Sequence, residues 1–358
     1  MLETQKFLRE NELNSLKETY HITSNRHSAY PNLVQLKYSQ IDSKMSERIV
    51  QECRGLILDE ANNWEIVSYP FDKFFNYNES NAAKLDWENA TVFEKLDGSL
   101  MVMYYYNDQW QVGSSGLPDA SGNVRNQEYN LNGLFQRIWK ESGYESPKNK
   151  TSCYMFEMVD PSTKVLVPYK ESGISLIGVR DLKSLKEYSI DQVENNEWQK
   201  AKRYPLQSLE KILEECKALN PMQHEGYVVC DSQFRRVKIK SPQYVKLSLI
   251  QKNTNPRLND KYLVEIIQAN EGEEFLSYFE SYRTKYNALK NNYNHLIESL
   301  EEMHEVVKGI DDRKEIALKV KGTSFPSVFF QLKDGKAKSV KDYIRNQDAS
   351  RLLNALSK

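Results

Sequence analysis

The chain has 358 residues, 49 of them basic and 50 acidic, and its net charge of −1 neither requires nor excludes a nucleic-acid partner. A hydrophobic fraction of 39% and a charged fraction of 28% are typical of a globular protein, and the length allows two domains. Four widely spaced cysteines without a CxxC pair argue against a disulfide framework or a zinc site. A charged N-terminus and the lack of an apolar run of about 20 residues predict no signal peptide, no membrane anchor and a cytoplasmic protein.

From about residue 50 to residue 246 the sequence predicts short strands separated by turn residues. The strand segments are GLILDE, WEIVSYPF, VFEKL, SLMVMYYY, QWQVGS, CYMFEMV, ISLIGVR, GYVVCD and RVKIK. Two segments, NLNGLFQRIWKESG and LQSLEKILEECKAL, have the spacing of amphipathic helices. This order predicts an α+β domain, residues 1–246, built of antiparallel sheets with flanking helices.

After residue 255 the pattern becomes helical. Ten apolar residues from Phe275 to Val307 are spaced alternately four and three apart, which predicts one helix on the order of 50 Å long. Its aromatic members favour packing within the domain over a coiled-coil seam, so we expect a monomer. Further helices are predicted in DRKEIALKV, DYIRN and RLLNAL, with breaks at Gly322 and Pro326. Residues 247–358 are therefore predicted to form a small all-helical domain.

A lysine stands in the middle of the stretch FEKLDGSL, residues 93–100. The apolar runs on either side predict two strands joined by a tight turn at Asp97-Gly98, with Lys95 at a strand end. An isolated lysine there usually extends its ammonium to solvent, but a lysine near other cations loses its proton more easily and can act as a nucleophile. Lys-x-Asp-Gly alone is weak evidence, because about one chain in ten of this length would contain it by chance.

Five further motifs accompany Lys95 in the chain. They are Glu52-Cys53-Arg54-Gly55, Lys73-Phe74-Phe75-Asn76, Phe156-Glu157-Met158, Glu225-Gly226-Tyr227-Val228 and Lys238-Ile239-Lys240-Ser241. Alternation along the last motif places both lysines on one strand face, from which they can reach one ligand. Taken singly, Arg54 and Lys73 are typical of surface charges, Glu157 of a buried ion pair, and the two lysines of a solvated edge strand.

The order R-G, KFFN, KxDG, FE, EGYV and KxK resembles the covalent nucleotidyltransferase superfamily, and ECRG, KFFN and KIKS resemble the RNA ligase 1 family of bacteriophage T4. The resemblance covers about residues 50 to 246 and implies an ATP-dependent RNA ligase on a nucleotidyltransferase domain. Lys95 would attack the α-phosphate of ATP, the lysyl-adenylate would pass AMP to an RNA 5′-phosphate, and a 3′-hydroxyl would displace it. DNA ligases and capping enzymes share KxDG but append a β-barrel, so the helical C-terminal pattern argues against them.

The same resemblance implies roles for individual residues. Catalysis is assigned to Lys95, Lys238 and Lys240. The ATP contacts are assigned to Arg54, Lys73, Lys95, Glu157, Glu225, Lys238, Lys240 and Tyr244. Mg²⁺ or Mn²⁺ is expected at Glu157, Glu225 and Glu273, because hard cations take carboxylates and phosphates, and the register among Glu271, Glu273 and Glu274 stays open. Ser115 stands where the family commonly has a lysine, and Lys246 could compensate.

The segment from residue 313 to residue 345 has nine basic residues against three acidic ones, which is typical of a phosphate-binding surface but also of a solvated face. The resemblance implies that the helical domain selects the RNA, a tRNA nicked in its anticodon loop with 5′-phosphate and 3′-hydroxyl ends. The ligase would act after a polynucleotide kinase and phosphatase, in the host cytoplasm if a phage encodes it. The alternative is a non-catalytic RNA-binding protein on a decayed ligase fold, against which the intact lysines and glutamates argue.

Overall fold

The computed structural model describes residues 1–124, 127–163, 166–195, 197–252 and 260–356. The chain forms two compact units, Met1–Gln251 and Lys252–Lys358. The predicted domain boundary after residue 246 lies inside a helix that spans Pro242–Lys252. Among the described residues no helix is long and apolar enough to cross a membrane. All four cysteines are buried and free.

The described residues of the first unit form fourteen strands. They are β1 Ile22–Arg26, β2 Leu33–Tyr38, β3 Arg54–Asp59, β4 Glu65–Ser68, β5 Phe75–Asn76, β6 Thr91–Lys95, β7 Ser99–Tyr106, β8 Gln109–Ser114, β9 Ser152–Val159, β10 Gly173–Asp181, β11 Glu187–Tyr188, β12 Arg203–Tyr204, β13 Gly226–Cys230 and β14 Arg236–Lys240. Each of the nine predicted strands is present. In β14 buried residues alternate with less buried ones, because one face of this strand covers a hydrophobic core, whereas β3 is buried at five of its six residues.

These strands form three sheets. The first sheet has the order β1-β2-β3-β4, the second β11-β10-β9-β7-β8, and the third β12-β6-β13-β14-β5. The pairing is antiparallel throughout, except where the two-residue strand β5 lies parallel to β14. The predicted α+β class with antiparallel sheets is therefore confirmed.

The tight turn predicted at Asp97-Gly98 is wrong, because β6 and β7 do not pair with each other. β6 pairs with β12 and β13, whereas β7 pairs with β8 and β9, so the chain passes from the third sheet to the second at this point. Gly98 lies against β9, where an added Cβ would stand 2.4 Å from the carbonyl oxygen of Met158. Local turn residues indicate a change of direction, but the pairing is decided by strands far along the chain.

Where the structure describes the first unit, six helices accompany the sheets. They are α1 Glu3–Glu10, α2 Leu13–Tyr20, α3 Arg48–Glu52, α4 Leu131–Glu141, α5 Leu209–Ala218 and α6 Pro242–Lys252. Helices α4 and α5 confirm the two helices predicted in this region. The three helices before residue 53 were not predicted, because none exceeds eight residues and so short a segment shows little periodicity.

Every element that the structure describes between residues 260 and 356 is a helix, as predicted. The helices are α7 Asp260–Ala269, α8 Gly272–Tyr278, α9 Arg283–Val307, α10 Arg313–Val320, α11 Ser327–Lys333, α12 Val340–Arg345 and α13 Ala349–Leu356, with a 3-10 turn at Glu280–Tyr282. Helices α10, α12 and α13 were predicted. Pro326 is the N-cap of α11, a helix that the sequence analysis missed.

The single long helix predicted from Phe275 to Val307 is wrong. The helix breaks at Phe279, whose φ of −129° and ψ of 56° are not helical, and α9 begins only at Arg283. The ring of Phe275 lies 5.1 Å from that of Phe279 and 5.8 Å from that of Tyr282, so aromatic packing holds the chain together across the break. The apolar spacing continues through the break, which is why periodicity alone did not reveal it.

Candidate functional site

A cavity of about 610 Å³ in the first unit is lined by residues from all three sheets, and we call it the first cavity. Five of the residues predicted to be functional line it: Arg54, Lys95, Glu157, Lys238 and Lys240. They come from β3, β6, β9 and β14, strands that only the folded sheets bring together. Phe93, Val228 and other apolar residues line the same cavity, so it combines apolar surface with a group of cations.

Lys95 is the last residue of β6 and lies opposite Gly226 of β13. Its Nζ donates to the Oε2 atom of Glu225 at 2.6 Å, and the other carboxylate oxygen of Glu225 lies 3.5 Å from the Nζ of Lys240. The side chain of Lys95 is 20% exposed and that of Glu225 only 5%. A nearly buried carboxylate therefore joins the two lysines, with Lys95 at the wall of the cavity.

Gly226 has a φ of +150°, and a Cβ on it would lie 2.2 Å from the carbonyl oxygen of Ile239. The glycine thus lets β13 approach β14 closely enough to place Glu225 beside Lys240. At both Gly98 and Gly226 the close approach that the structure shows is to a neighbouring strand.

Lys238 and Lys240 share one face of β14, whereas Val237 and Ile239 on the opposite face are each 1% exposed. β14 lies between β13 and β5, so it is an inner strand of the third sheet. The alternative interpretation of the two lysines as a solvated edge strand is therefore wrong. Both line the first cavity, as the alternation predicted.

Arg54 begins β3, with its guanidinium carbon 5.1 Å from the centroid of the Phe74 ring. Its Nη1 atom is buried and has no hydrogen-bond partner among the described residues. A buried charged donor without a partner is costly, so an anionic ligand or an ordered water in the cavity would satisfy this atom.

Glu157 lies within β9, and one of its oxygens accepts from the backbone N–H of Gly98 at 3.1 Å. Burial raises the pKa of this carboxyl to about 7; Lys95 opposes that shift, and Glu225 adds to it. A carboxylate in such surroundings is stabilised by any further cation. The part of the chain that the structure describes has no group of three His, Cys, Asp or Glu residues able to hold a metal. Two carboxylates close to the cations of the first cavity suit Mg²⁺, which usually takes one or two carboxylates plus ligand phosphates.

The remaining predicted residues lie elsewhere. Lys73 lines a neighbouring cavity, where its Nζ is 5.3 Å from the ring centroids of Tyr38 and Phe75. Tyr244 is buried in α6, and burial together with the nearby carboxylates of Glu225 and Asp97 raises its pKa. Glu273 is exposed in the first turn of α8, in the second unit. The ligand roles of these three residues stay predictions.

Ser115 lines the first cavity at the position where the resemblance led us to expect a lysine. Lys246, which could compensate for it, is exposed in α6. Lys246 is not among the described residues that line the first cavity. Compensation by Lys246 therefore stays a prediction.

Asp97 is a residue whose role the sequence analysis missed, because we interpreted it only as part of a turn. Its Oδ2 atom accepts from the backbone N–H groups of Leu166 and Val167 at 2.9 and 3.0 Å, and it also hydrogen bonds to Tyr244. Asp97 thereby anchors the segment that follows Lys95. Its place in the KxDG motif was a usable signal, but nothing in the sequence pointed to its partners.

Replacing Glu157 with glutamine should stabilise the metal-free protein at alkaline pH. The carboxyl has a pKa of about 7 when folded, against an ordinary value of 4.5. Between these two pH values Glu157 is deprotonated in the unfolded chain but still protonated in the folded chain. The free energy of unfolding of the natural protein therefore falls as the pH rises from 4.5 to 7. Urea unfolding in EDTA should show the variant more stable at pH 8 by up to about 3 kcal/mol, and nearly equal to the natural protein at about pH 4.5. If the difference in free energy of unfolding between the two proteins does not grow from pH 4.5 to pH 8, the raised pKa of Glu157 is contradicted.

Residues 52–244, more than half of the chain, match the sequence model of the T4 RNA ligase 1 type, described as RNA ligase. An RNA ligase of Rhodothermus phage RM378 is 26% identical over 360 residues, covering 79% of this chain and 81% of that protein. A protein of Autographa californica nuclear polyhedrosis virus, named as a bifunctional polynucleotide kinase/RNA ligase, is 26% identical over 268 residues. That alignment covers 69% of this chain and 38% of the viral protein.

Among solved structures, a Naegleria gruberi RNA ligase mutant with ATP and Mn is similar to this chain, with 15% identity and a TM-score of 0.33. The similarity covers 45% of this chain and 51% of that one. This chain therefore spans about half of that structure, and so low a score carries no argument about its site.

Proposed function

The chain belongs to the T4 RNA ligase 1 family of RNA ligases, and from this premise we propose that it joins RNA ends through covalent adenylylation of Lys95 by ATP. The observation that supports this most strongly is the position of Lys95. Its Nζ lies at the wall of a cavity that also contains Arg54, Lys238 and Lys240. A lysine amine in the same cavity as several cations can attack a phosphate whose negative charge those cations neutralise.

In the first step the Nζ of Lys95 attacks the α-phosphorus of ATP. A P–N bond forms, the bond from the α-phosphorus to the oxygen bridging it to the β-phosphate breaks, and pyrophosphate leaves with the bonding electron pair. Lys95 is ion-paired with Glu225, so its Nζ must leave this carboxylate and give a proton to water before it attacks. Lys240 contacts the other oxygen of Glu225, so it is placed to hold the carboxylate when Lys95 leaves it.

Arg54, Lys238 and Lys240 are proposed to hold the triphosphate. The unpartnered Nη1 atom of Arg54 supports this, because a phosphate oxygen would satisfy it. Lys73 and Tyr244 keep their proposed contacts with ATP, although neither side chain is among the residues that line the first cavity.

Glu157 and Glu225 are proposed to hold Mg²⁺ or Mn²⁺, and a metal-binding role for Glu273 stays a prediction. The fit rests on two hard carboxylates beside the proposed phosphate site. Bound there, the metal would neutralise charge on the reacting phosphates. Glu157, whose pKa is raised to about 7, would be more fully ionised beside such a cation.

In the two later steps an RNA 5′-phosphate oxygen attacks the adenylate phosphorus and releases the Lys95 amine, and then a 3′-hydroxyl attacks the RNA 5′-phosphorus and releases AMP. We propose RNA with a 5′-phosphate and a 3′-hydroxyl as the substrate, produced by a kinase and phosphatase that act first. The name of the viral relative, which joins a polynucleotide kinase to an RNA ligase, supports this order. The proposed cytoplasmic location and monomeric state stay predictions.

Strand joining tests this proposal. A 5′-phosphorylated, 5′-labelled RNA oligonucleotide incubated with the protein, ATP and Mg²⁺ should become resistant to phosphatase as its ends are joined. The reaction should fail when the 5′ end carries a hydroxyl or when ATP is omitted. The proposed reaction would be contradicted if the 5′ label became resistant to phosphatase without ATP. It would also be contradicted if the label stayed sensitive to phosphatase with ATP present.

The substrate is proposed to be a tRNA broken in its anticodon loop, selected by the predicted helical domain, residues 247–358. Support comes from the basic run between residues 313 and 345, in which Lys336 and Lys338 are exposed. Three other members are engaged by carboxylates: Arg313 by Asp334, Lys333 by Asp311, and Arg345 by Asp342. Lys336 and Lys338, on the surface of the run, can position phosphates without reading bases.

Replacing Lys336 and Lys338 together with glutamate should lower the sealing of a nicked anticodon stem-loop by about three- to tenfold at low salt, and by less at high salt, because phosphate contacts are salt-dependent. Joining of short single strands and self-adenylylation should persist. Lys333 is left intact because its Nζ also bonds the carbonyl oxygen of Ile310. Lys290→Glu, an exposed lysine outside the basic run, is the matched control. An equal loss on both substrates would assign the lysines to general RNA binding, and no loss would leave the run a solvated surface.

A further inference from the structure

A second cavity of about 650 Å³ adjoins the first one, and we call it the second cavity. The two cavities share the side chains of Phe71, Phe74, Phe234 and Arg236 as lining residues. The second cavity is as large as the first, which by the proposed function takes a nucleotide. It lies wholly within the first unit and has no role in the account above beyond the placement of Lys73.

The second cavity is strongly cationic. Its lining contains six cations, Arg48, Lys73, Arg180, Lys186, Arg235 and Arg236, against two carboxylates, Asp72 and Glu187. This leaves an excess of four positive charges. Such an excess in a concave surface attracts a polyanion.

Part of this charge is fixed in place by contacts. Arg180 and Arg236 both contact Glu187, at 2.9 and 2.7 Å, and their guanidinium groups lie 4.1 Å from the ring of Tyr69 and 4.5 Å from that of Phe71. Arg180 is 6% exposed, and its Nε atom has no hydrogen-bond partner among the described residues. A buried donor without a partner indicates a ligand or an ordered water in the cavity.

Two lysines provide charge that no carboxylate neutralises. Within the described ranges neither Lys73 nor Lys186 contacts a carboxylate, and Lys186 is exposed in the turn between β10 and β11. Arg235 lies on the turn between β13 and β14 and contacts Asp231 at 2.7 Å, and its side chain is 41% exposed. Lys186 and Arg235, both exposed at this cavity, can therefore meet the phosphates of an RNA strand.

Phe234 forms part of the wall between the cavities. It has a φ of +60°, a conformation that bulky residues rarely adopt, so the turn from β13 to β14 presents this ring at a cost in backbone energy. Aromatic rings beside a cationic groove are the usual platform for the bases of single-stranded nucleic acid.

We propose that the second cavity binds the nucleotide next to the RNA end that receives AMP, with phosphates at Lys186 and Arg235 and a base against Phe234. This inference rests on the proposed function and adds a subsite to it. The first cavity already has Arg54, Lys238 and Lys240 for the triphosphate. A cavity of about 650 Å³ exceeds the size of a pyrophosphate group, so it suits a nucleotide of the RNA strand.

Binding of a fluorescent, 5′-phosphorylated RNA oligonucleotide to the protein without ATP tests the inference directly. Lys186→Glu should raise the dissociation constant about five- to tenfold at low salt, and it should lower the slope of log affinity against log salt by about 0.7 for each phosphate that the protein no longer neutralises. Lys183→Glu is the matched control, since Lys183 is exposed in the same turn but does not line the second cavity. Phe234→Gly removes the ring while suiting the positive φ, and it should weaken binding as well.

Self-adenylylation of the same variants separates the two sources of phosphate. Lys186→Glu should leave the ATP dependence of this step within about twofold of the natural protein, because the triphosphate occupies the first cavity. A raised requirement for ATP would assign the second cavity to the triphosphate and overturn the inference. An RNA dissociation constant equal to that of Lys183→Glu would also overturn it. If the natural protein bound RNA but formed no adenylate, the proposed function would be wrong. The RNA dissociation constants of Lys186→Glu and Lys183→Glu would still show whether the second cavity binds RNA.

Discussion

Lys95→Ala is expected to abolish the covalent attachment of AMP to the protein while leaving it folded. Lys95 ends β6 at the first cavity, with its Nζ held at 2.6 Å by a nearly buried carboxylate, Glu225. No other side chain on β6 can bring an amine to that point. Removing the nucleophile removes the step rather than slowing it, so labelling from α-labelled ATP should fall by more than about a thousandfold.

Two control variants make this result specific. Lys95→Arg keeps a cation beside Glu225 but stays protonated, so it should also fail to be labelled. Lys202→Ala changes a lysine that lies beside β6, where its backbone carbonyl accepts from Glu94, without lining the first cavity. It should be labelled normally. Persistent labelling of a folded Lys95→Ala protein would show that another residue is the nucleophile.

Lys238→Ala and Lys240→Ala are each expected to slow self-adenylylation by roughly ten- to a hundredfold. Both side chains leave the same face of β14 and line the cavity in which the triphosphate is proposed to bind. Loss of a charge-assisted hydrogen bond to phosphate costs about 1.5–3 kcal/mol, and the rate falls accordingly when the bond tightens in the transition state.

The two variants should differ in their structural consequences. Lys240→Ala removes one of the two lysines that contact Glu225 among the described residues, and Lys95 remains. Lys238→Ala leaves both of these contacts with Glu225 unchanged. We therefore expect the larger loss of rate for Lys240→Ala. Lys211→Ala, on the exposed side of α5, is the control and should react at the normal rate. Normal rates for both lysine variants would mean that the pair only completes a strand face.

Local patterns were enough to predict the strands that carry the site. Alternation in RVKIK correctly placed Lys238 and Lys240 together, because Val237 and Ile239 must be buried. The sequence did not reveal which strands pair. The separation of β6 from β7 depends on β13 and β9, which follow much later in the chain, and the same is true of the contact between Lys95 and Glu225.

Side-chain placement was harder to predict than strand position. Lys73 belongs to a motif of the family, yet its Nζ rests near Tyr38 and Phe75 in the second cavity. The break at Phe279 was also invisible, since aromatic residues satisfy the helical spacing on both sides of it. In each case the deciding contacts are tertiary, and a motif or a period contains no information about them.

The most direct test of the central claim is to locate the AMP on the natural protein. After incubation with α-labelled ATP and Mg²⁺, the protein would be denatured, digested and analysed by mass spectrometry. The account predicts one adenylyl group, attached through an acid-labile P–N bond to the peptide that contains Lys95, and its release when pyrophosphate is added before denaturation. An unmodified Lys95 peptide alongside a label on any other residue, or no covalent label at all, would contradict it.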